Sequence, residues 1–408
     1  MRILWVKAGG LLPPDTGGRI RSFNILRQLA RHHEVTLFSF HDTKEDAAQR
    51  PLDQLFHRLV CVPLALPAKR RPAELLNYAA GFFSSEPYNL TKYCRPEVKG
   101  QLDDLIRRET YDVVVCDFLM AAGVIPWSSR TPKVLFAHNV EAAIWRHHYR
   151  AARNPVWKAI AWREMKRMEA GERKYLTAAH HVFAVSLNDR ECFGEFLSPN
   201  RITVIPTGVD VESFKPYPTE EDPLSLVFTG SMDWLPNEDA VLYLVNQILP
   251  LVRQQFPQVS LSIVGRNPSA TVRTLAARDS RLQVTGTVPD IRPFLACGAV
   301  VVVPLRIGGG TRLKIFEAMA MEKAIVSTTL GAEGLPVQDG ENILLADTPS
   351  DFAASVTCLL RDTGLRTRMG MSARRLVEKD FSWEDVARQF ASALQAVVTG
   401  HLRESTTS

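Results

Sequence analysis

Residues 308 to 317 place three glycines, an arginine, a lysine and a glutamate inside the stretch "VVVVPLRIGGGTRLKIFEAMA". The order reads strand, glycine loop, helix. Gly308, Gly309 and Gly310 let the backbone come close to a ligand and take positive φ where a side chain would clash. The amides of Thr311, Arg312 and Leu313 then stand at a helix N-terminus, where unpaired donors and the helix dipole attract an anion such as a diphosphate. Arg312 and Lys314 add two full charges. Each charge-assisted bond from them contributes about 1.5 to 3 kcal/mol, and the pair can stand in for a metal. Glu317, among Phe316, Ala318 and Met319, can accept a vicinal diol such as a ribose, or serve as a buried structural carboxylate. The G-x-x-x-x-G-K-[ST] spacing of a P-loop is absent. "KAGGLLPPDTGGRIR" after the first apolar run does not match G-x-G-x-x-G either, so kinase, ATPase and NAD-dehydrogenase readings lose ground.

Such a loop needs a sheet behind it. The first half alternates short β-branched runs with helical periods: "RILWVK", "RIRSFNILRQLARH", "EVTLFSF", then "DVVVCD", "KVLFAH", "HHVFAVS" and "ITVIP". Runs of this kind suit strands buried on both faces of a parallel, doubly wound α/β sheet. The second half repeats the scheme with "SLVFTG", "SLSIVG", "LQVTG", "AVVVVPL" and "AIVST". Between the halves, "PTGVDVESFKPYPTEEDP" is rich in Pro, Asp and Glu and reads as a linker. The expected organisation is a first domain over 1–205, a linker over 206–223, a second domain over 224–380, and a helix over 381–400 that crosses back to the first. Ser382 is its expected N-cap. A ligand is expected between the carboxyl edges of the two sheets, which face a cleft.

Composition narrows the class. The chain has 408 residues, long enough for two domains, with 46% hydrophobic and 23% charged residues, as in globular proteins. Its six cysteines form no CxxC pair, so neither a zinc site nor a disulfide framework is expected, and a reducing cytoplasm fits best. No apolar run is long enough for a spanning helix, and no signal peptide is read. Residues 1–200 hold 29 Lys and Arg against 21 Asp and Glu, so the net charge of +5 comes from the first half. The excess concentrates in "AKRRP" and in "WRHHYRAARNPVWKAIAWREMKRMEAGERKY". The latter alternates Trp, Ile, Val and Met with Arg and Lys at helical spacing. It reads as a solvated surface helix, or as one resting on an anionic membrane or meeting an acidic acceptor. Nucleic-acid binding has no accompanying motif.

Taken together, "PLRIGGGTRLKIFEAMAMEKAIVSTTLGAEGL", "PTGVDVESFKP", "LVFTGSMDWLPNEDAVLYL", "VTGTVPDIRPFLACGAVVVVPL" and "FSWEDVA" resemble the family 4 (group 1) retaining glycosyltransferases. "TGGRIRSFNILRQLA" and "VLFAHNVE" extend the likeness into the first half. The resemblance implies two Rossmann-like domains of the GT-B type and transfer of a sugar with retention. The donor is a nucleotide sugar held mainly by the second domain. The acceptor is a saccharide or lipid-linked saccharide of exopolysaccharide or envelope glycan, held mainly by the first. It places Gly17 and Gly18 near the donor diphosphate and reacting centre, Gly230 in the donor site, and His138 against the donor sugar near the reacting carbon; on its residues alone, His138 reads as a hydrogen-bonded histidine at a strand end. The doublets His32/His33, His147/His148 and His180/His181 read as surface or packing residues.

The chain departs from the family pattern at two places. Gly309 stands where the first of two glutamates is usual, and Ser231 and Asn237 stand near the usual sites of an arginine and a lysine. The same architecture also serves sugar-nucleotide 2-epimerases, and the missing glutamate admits a non-catalytic scaffold. No cofactor and no metal are expected. The protein is expected in the cytoplasm, at most peripheral on the inner membrane face.

Overall fold

Every apolar run read above as a strand is one. In the computed structural model, which describes residues 1–66, 86–152, 154–307 and 312–406, seven parallel strands form one sheet. They are β1 (Arg2–Ala8), β2 (Glu34–Asp42), β3 (Arg58–Leu64), β4 (Val113–Asp117), β5 (Lys133–Phe136), β6 (His181–Ala184) and β7 (Ile202–Val204), in the order β3-β2-β1-β4-β5-β6-β7. A second sheet holds β8 (Asp222–Thr229), β9 (Ser260–Val264), β10 (Leu282–Gly286), β11 (Gly298–Val303), β12 (Ala324–Ser327) and β13 (Leu344–Leu345), in the order β10-β9-β8-β11-β12-β13. All pairings in it are parallel too. The central strands β4, β5, β11 and β12 are buried along their whole length, as their unbroken apolar runs require. β3 and β13 escaped the sequence reading. β3 carries Pro63 and is only partly buried at the sheet edge, where a missing N–H is tolerated, and β13 is two residues long.

The chain divides into two units, 1–206 with 386–408, and 207–385. The last helix, Trp383–Thr406, starts in the second and continues in the first. Ser382 Oγ accepts from Asp385 N at 3.1 Å at its start. Within the first unit, Phe390 of this helix packs edge-on against Phe136 and Phe183, with ring centres at 5.1 and 4.8 Å, and leans on Trp5. Three aromatic contacts of this size hold the helix firmly on β1, β5 and β6. Within the second unit, Gly208 and Val209 lie against the residues that start that helix. Val209 N donates to Phe381 O at 2.8 Å, and a Cβ on Gly208 would lie 2.6 Å from the Trp383 ring, so only glycine fits. Glu221 then pairs with Lys323 at 2.6 Å and Arg366 at 2.9 Å. Strand order reverses between β1 and β4 in one sheet and between β8 and β11 in the other. Open parallel sheets bind ligands outside the carboxyl ends of their strands at such reversals.

Candidate functional site

At the reversal in the first unit, opposite charges meet inside the protein. Lys7 near the end of β1 is in register with Asp117 at the end of β4, and both are buried. Asp117 Oδ2 accepts from Lys7 Nζ at 3.0 Å and from Trp5 Nε1 at 2.9 Å, while Oδ1 lies 2.8 Å from His138 Nε2. Lys7 also donates to Ser22 Oγ at 3.2 Å, which donates to Gly18 O at 3.0 Å. Burial works against an ionised Asp117, but the Lys7 ammonium and the His138 ring hold it well below the usual carboxylate range. Burial pushes His138 down to about 4 against the pull of Asp117, so its ring is neutral at physiological pH. Arg21 is fully buried nearby; burial lowers it to about 9, with Asp189 and Asp117 opposing, and it stays charged.

Gly17 and Gly18 open the helix Gly17–Leu29, capped by Thr16. The loop before them is fixed from β2's far end: buried Gln49 accepts from Leu11 N and Leu12 N, and Glu45 accepts from Gly10 N and pairs with Arg19. Phe118 then fills the space between this helix and His138. Its ring stacks on the imidazole at 3.8 Å with a 14° interplanar angle, and a Cβ on Gly18 would lie 2.4 Å from it. Phe118 has φ 69°, ψ 150°, a conformation that is nearly glycine-only and costs about 1 to 3 kcal/mol. Beneath it His138 is 2% exposed, and among the described residues its Nδ1 has no hydrogen-bond partner. With Phe118 in this position, His138 touches no solvent-borne ligand.

The reversal in the second unit is built differently. Gly230 follows β8 and Gly265 follows β9; a Cβ on Gly265 would lie 1.7 Å from Gly230 O, so the two loops touch backbone to backbone. That contact brings Arg266 to Ser231, with Nε donating to Oγ at 2.8 Å. Ser231 in turn donates to Asp233 at 2.5 Å, and Asn267 donates to the same carboxylate at 3.1 Å. The helix Leu313–Ala320 brings Lys314, whose Nζ donates to Asn237 Oδ1 at 2.8 Å and lies 4.2 Å from the Phe228 ring centre. A Cβ on Gly230 would lie 2.8 Å from that ammonium. Burial, helped by Arg312, lowers Lys314 to about 7, while Glu317 pulls the other way. Glu317, one turn further, is pushed by burial up to about 7 against the attraction of Lys314, and among the described residues its carboxyl has no hydrogen bond.

The residues singled out by sequence therefore fall into two sets. Gly17, Gly18 and His138 gather at the first unit's carboxyl edge, and Gly230, Leu313, Lys314 and Glu317 at the second's. Gly308, Gly309, Gly310 and Thr311 lie outside the described residues, as does "AKRRP". Arg312 precedes the helix in left-handed conformation, φ 50°. Its side chain does not match Lys314: it is buried, donates to Leu330 O at 2.8 Å and lies 3.5 Å from Glu333, which ties it to the loop after β12. Sequence reading missed Lys7, Asp117, Phe118 and Arg266. A usable signal was present for the first two: a lysine and an aspartate ending otherwise apolar strands. No group of three or more His, Cys, Asp or Glu among the described residues is placed to hold a metal.

Comparison with known proteins agrees with this division. The family model for Glycosyltransferase Family 4 matches residues 16–213, and that for Glycosyl transferases group 1 matches residues 223–362. An uncharacterized 44.6 kDa protein in the cps region of Klebsiella pneumoniae is 19% identical over 319 residues, 75% of this chain and 80% of its own. A phosphatidyl-myo-inositol mannosyltransferase of Mycobacterium tuberculosis is 30% identical over 208 residues, 47% of this chain; the match spans 53% of that relative, about half its length. Among solved structures, a sucrose-phosphate synthase from Thermosynechococcus elongatus superimposes with a TM-score of 0.74 at 19% identity, covering 98% of this chain and 100% of that one. HepE of Anabaena, solved with UDP-glucose, gives 0.66 at 15% identity, covering 97% and 100%. At such identities the structures establish the GT-B fold.

Proposed function

Since the chain belongs to the group 1 (family 4) glycosyltransferases, we propose that it transfers a sugar, with retention, from a nucleotide-sugar donor to a saccharide or lipid-linked saccharide acceptor of envelope or exopolysaccharide synthesis. The observation that carries this is the pairing in the second unit of a desolvated Lys314 ammonium, bonded to a neutral amide, with a Glu317 carboxyl that has no hydrogen bond among the described residues. A cation whose hydrogen bond goes to a neutral amide and not to a carboxylate still has charge to offer an incoming anion, and the Glu317 carboxyl one helical turn away suits the ribose hydroxyls of the same nucleotide. As the glycosidic bond breaks, charge grows on the leaving diphosphate, and preorganised cations there stabilise the transition state more than the ground state. That role needs no metal ion, so activity should survive chelation by EDTA.

The acceptor belongs to the first unit in this reading. Its neutral His138 and Gly18 meet substrate once the Phe118 ring has moved aside. The same unit carries the helix Pro155–Ala178, where Val156 and Trp162 are 70% and 52% exposed, flanked by exposed Lys158, Lys166 and Arg173. Apolar and aromatic side chains interleaved with cations fit an anionic membrane surface that would present a lipid-linked acceptor. Among the described residues no helix is long and apolar enough to cross a membrane. A thermal-shift screen against UDP-, GDP- and ADP-sugars tests the donor reading, since a ligand of the folded state raises Tm by mass action. One class is expected to raise it, and Glu317→Ala to abolish that rise. No shift with any donor would overturn the proposal.

A further inference from the structure

At the amino edge of the first unit's sheet, opposite the end that holds His138, the last helix leaves a space beside β6 and β7. Phe390 and Leu394 of that helix are buried, but Ala396, Val397 and Gly400 further along are small, and a Cβ on Gly400 would meet nothing within 4 Å. The result is a cavity of about 760 Å³, the size of a small-molecule site. Arg201, His180, His181 and His401 stand in its wall with Ser198 and Asn200, and among the described residues no carboxylate lines it. Arg201 Nη2 donates to Thr177 O at 3.0 Å and to Ala179 O, so its partners are carbonyl dipoles that leave the charge in place. Its Nε and Nη1 donors have no bond among the described residues. His180 Nδ1 accepts from Lys133 N at 3.2 Å, which leaves Nε2 as the ring's donor. His401 Nε2 donates to Arg130 O at 2.8 Å, and its ring meets that of His180 edge-on at 4.9 Å. Burial lowers Lys133 to about 8, and burial followed by Arg201 lowers His181 to about 4; no carboxylate opposes either.

We propose that this cavity binds a phosphate group, as inorganic phosphate or a phosphomonoester, with Arg201 as its main ligand and His180 and His401 flanking it. A cation held by carbonyls and surrounded by imidazoles attracts an anion, and nothing on the cavity wall competes for that attraction. Phosphate suits the wall better than a carboxylate does. A guanidinium, an imidazole N–H, the Ser198 hydroxyl and the Asn200 amide together offer many donors, and phosphate brings more acceptor oxygens to meet them. The volume also leaves room for an organic part beside the small face of the last helix. Substrates of open parallel sheets bind outside the carboxyl ends of the strands, whereas this cavity stands where β6 and β7 begin. Its ligand is therefore distinct from donor and acceptor, and the assignment does not depend on the nucleotide-sugar reading. On sequence, His180 and His181 read as surface or packing residues; the fold sets them beside His401 from the far end of the chain. A bound phosphate ties the β6–β7 edge to the end of the last helix.

The test is titration calorimetry with inorganic phosphate and with glycerol 3-phosphate, at constant ionic strength, on wild type, Arg201→Gln, His401→Gln, Ala396→Trp and Lys314→Met, each checked for folding by circular dichroism. Wild type should bind phosphate saturably, and Arg201→Gln should weaken that binding at least about tenfold, the scale of one charge-assisted bond. His401→Gln should weaken it by a smaller factor. Lys314→Met should keep it, which separates this cavity from the proposed donor site. Should Arg201→Gln misfold, Ala396→Trp, at an exposed helix position where a larger ring fills the cavity, must abolish binding. Tighter binding of glycerol 3-phosphate makes a phosphomonoester the occupant and equal affinity makes it free phosphate; either sustains the site. Hydrogen exchange over residues 393–401 should slow when phosphate is added, and an unchanged rate there would overturn the placement under the last helix. No saturable binding to wild type, or binding that both Arg201→Gln and Ala396→Trp leave intact, would overturn the assignment whatever nucleotide sugars do.

Discussion

The two units place charge at equivalent points of equivalent sheets and treat it in opposite ways. In the first, Lys7, Asp117 and His138 are paired with one another and sealed under Phe118. In the second, Lys314 leans on a neutral amide and the Glu317 carboxyl has no hydrogen bond among the described residues. A buried ion pair with its bonds filled has little left to offer a ligand, and removing one partner strands the other. A desolvated ion beside neutral groups is costly in the empty protein and gains most when a counter-charge arrives. The first centre is thus organised for stability and shape, and the second suits the anion proposed for it.

The largest expected effect is on the sealed centre. Asp117→Ala leaves the Lys7 ammonium buried without its carboxylate and should cost about 3 to 5 kcal/mol of unfolding free energy, measured by urea denaturation. A loss below about 1 kcal/mol, the scale of a surface pair, would dissolve the contrast. Next comes the opposite outcome in the second unit. Lys314→Met removes a desolvated cation, so Tm should hold or rise, while affinity for the donor falls by about 1.5 to 3 kcal/mol, or roughly 10- to 100-fold. A clear drop in Tm with donor affinity intact would show Lys314 to be structural.

The pH dependence should separate the centres again, more mildly. Lys314 is charged below about 7 and neutral above, and an anion prefers the charged form, so donor affinity should fall as pH rises through 7. Asp117 titrates well below its ordinary value, so its stabilising pair is complete at neutral pH and is lost only as pH falls through that depressed value in strong acid. Calorimetry and denaturation at matched pH values distinguish the two, and a flat affinity profile from pH 6 to 9 would count against Lys314 as the anion's partner. The smallest effect is kinetic. Phe118→Ala should speed modification of His138 by diethyl pyrocarbonate, read by peptide mass spectrometry, because it removes the ring that covers the imidazole. An unchanged rate would mean that some other group shields it.

Much of the fold was legible because strands buried on both faces have no polar alternation to disguise them: "DVVVCD" and "AVVVVPL" could hardly be anything else. β3 was not, because Pro63 and the partial burial of an edge strand blur its pattern. Of the site, Lys314 and Glu317 could be found because they follow a glycine loop on one helix, within four residues of each other. Arg266 could not, since its place beside Ser231 depends on two glycines 35 positions apart meeting backbone to backbone.

The sequence by itself therefore determined the two parallel sheets, most of their strands and the helix that carries Lys314 and Glu317, all of which are written in local period and composition. Tertiary structure alone decided which charges neutralise one another and which are left to a ligand. Whether a lysine meets an aspartate or an asparagine is a matter of strand register and loop contact, as Lys7 opposite Asp117 and Lys314 against Asn237 show. Local sequence carries no record of that distance.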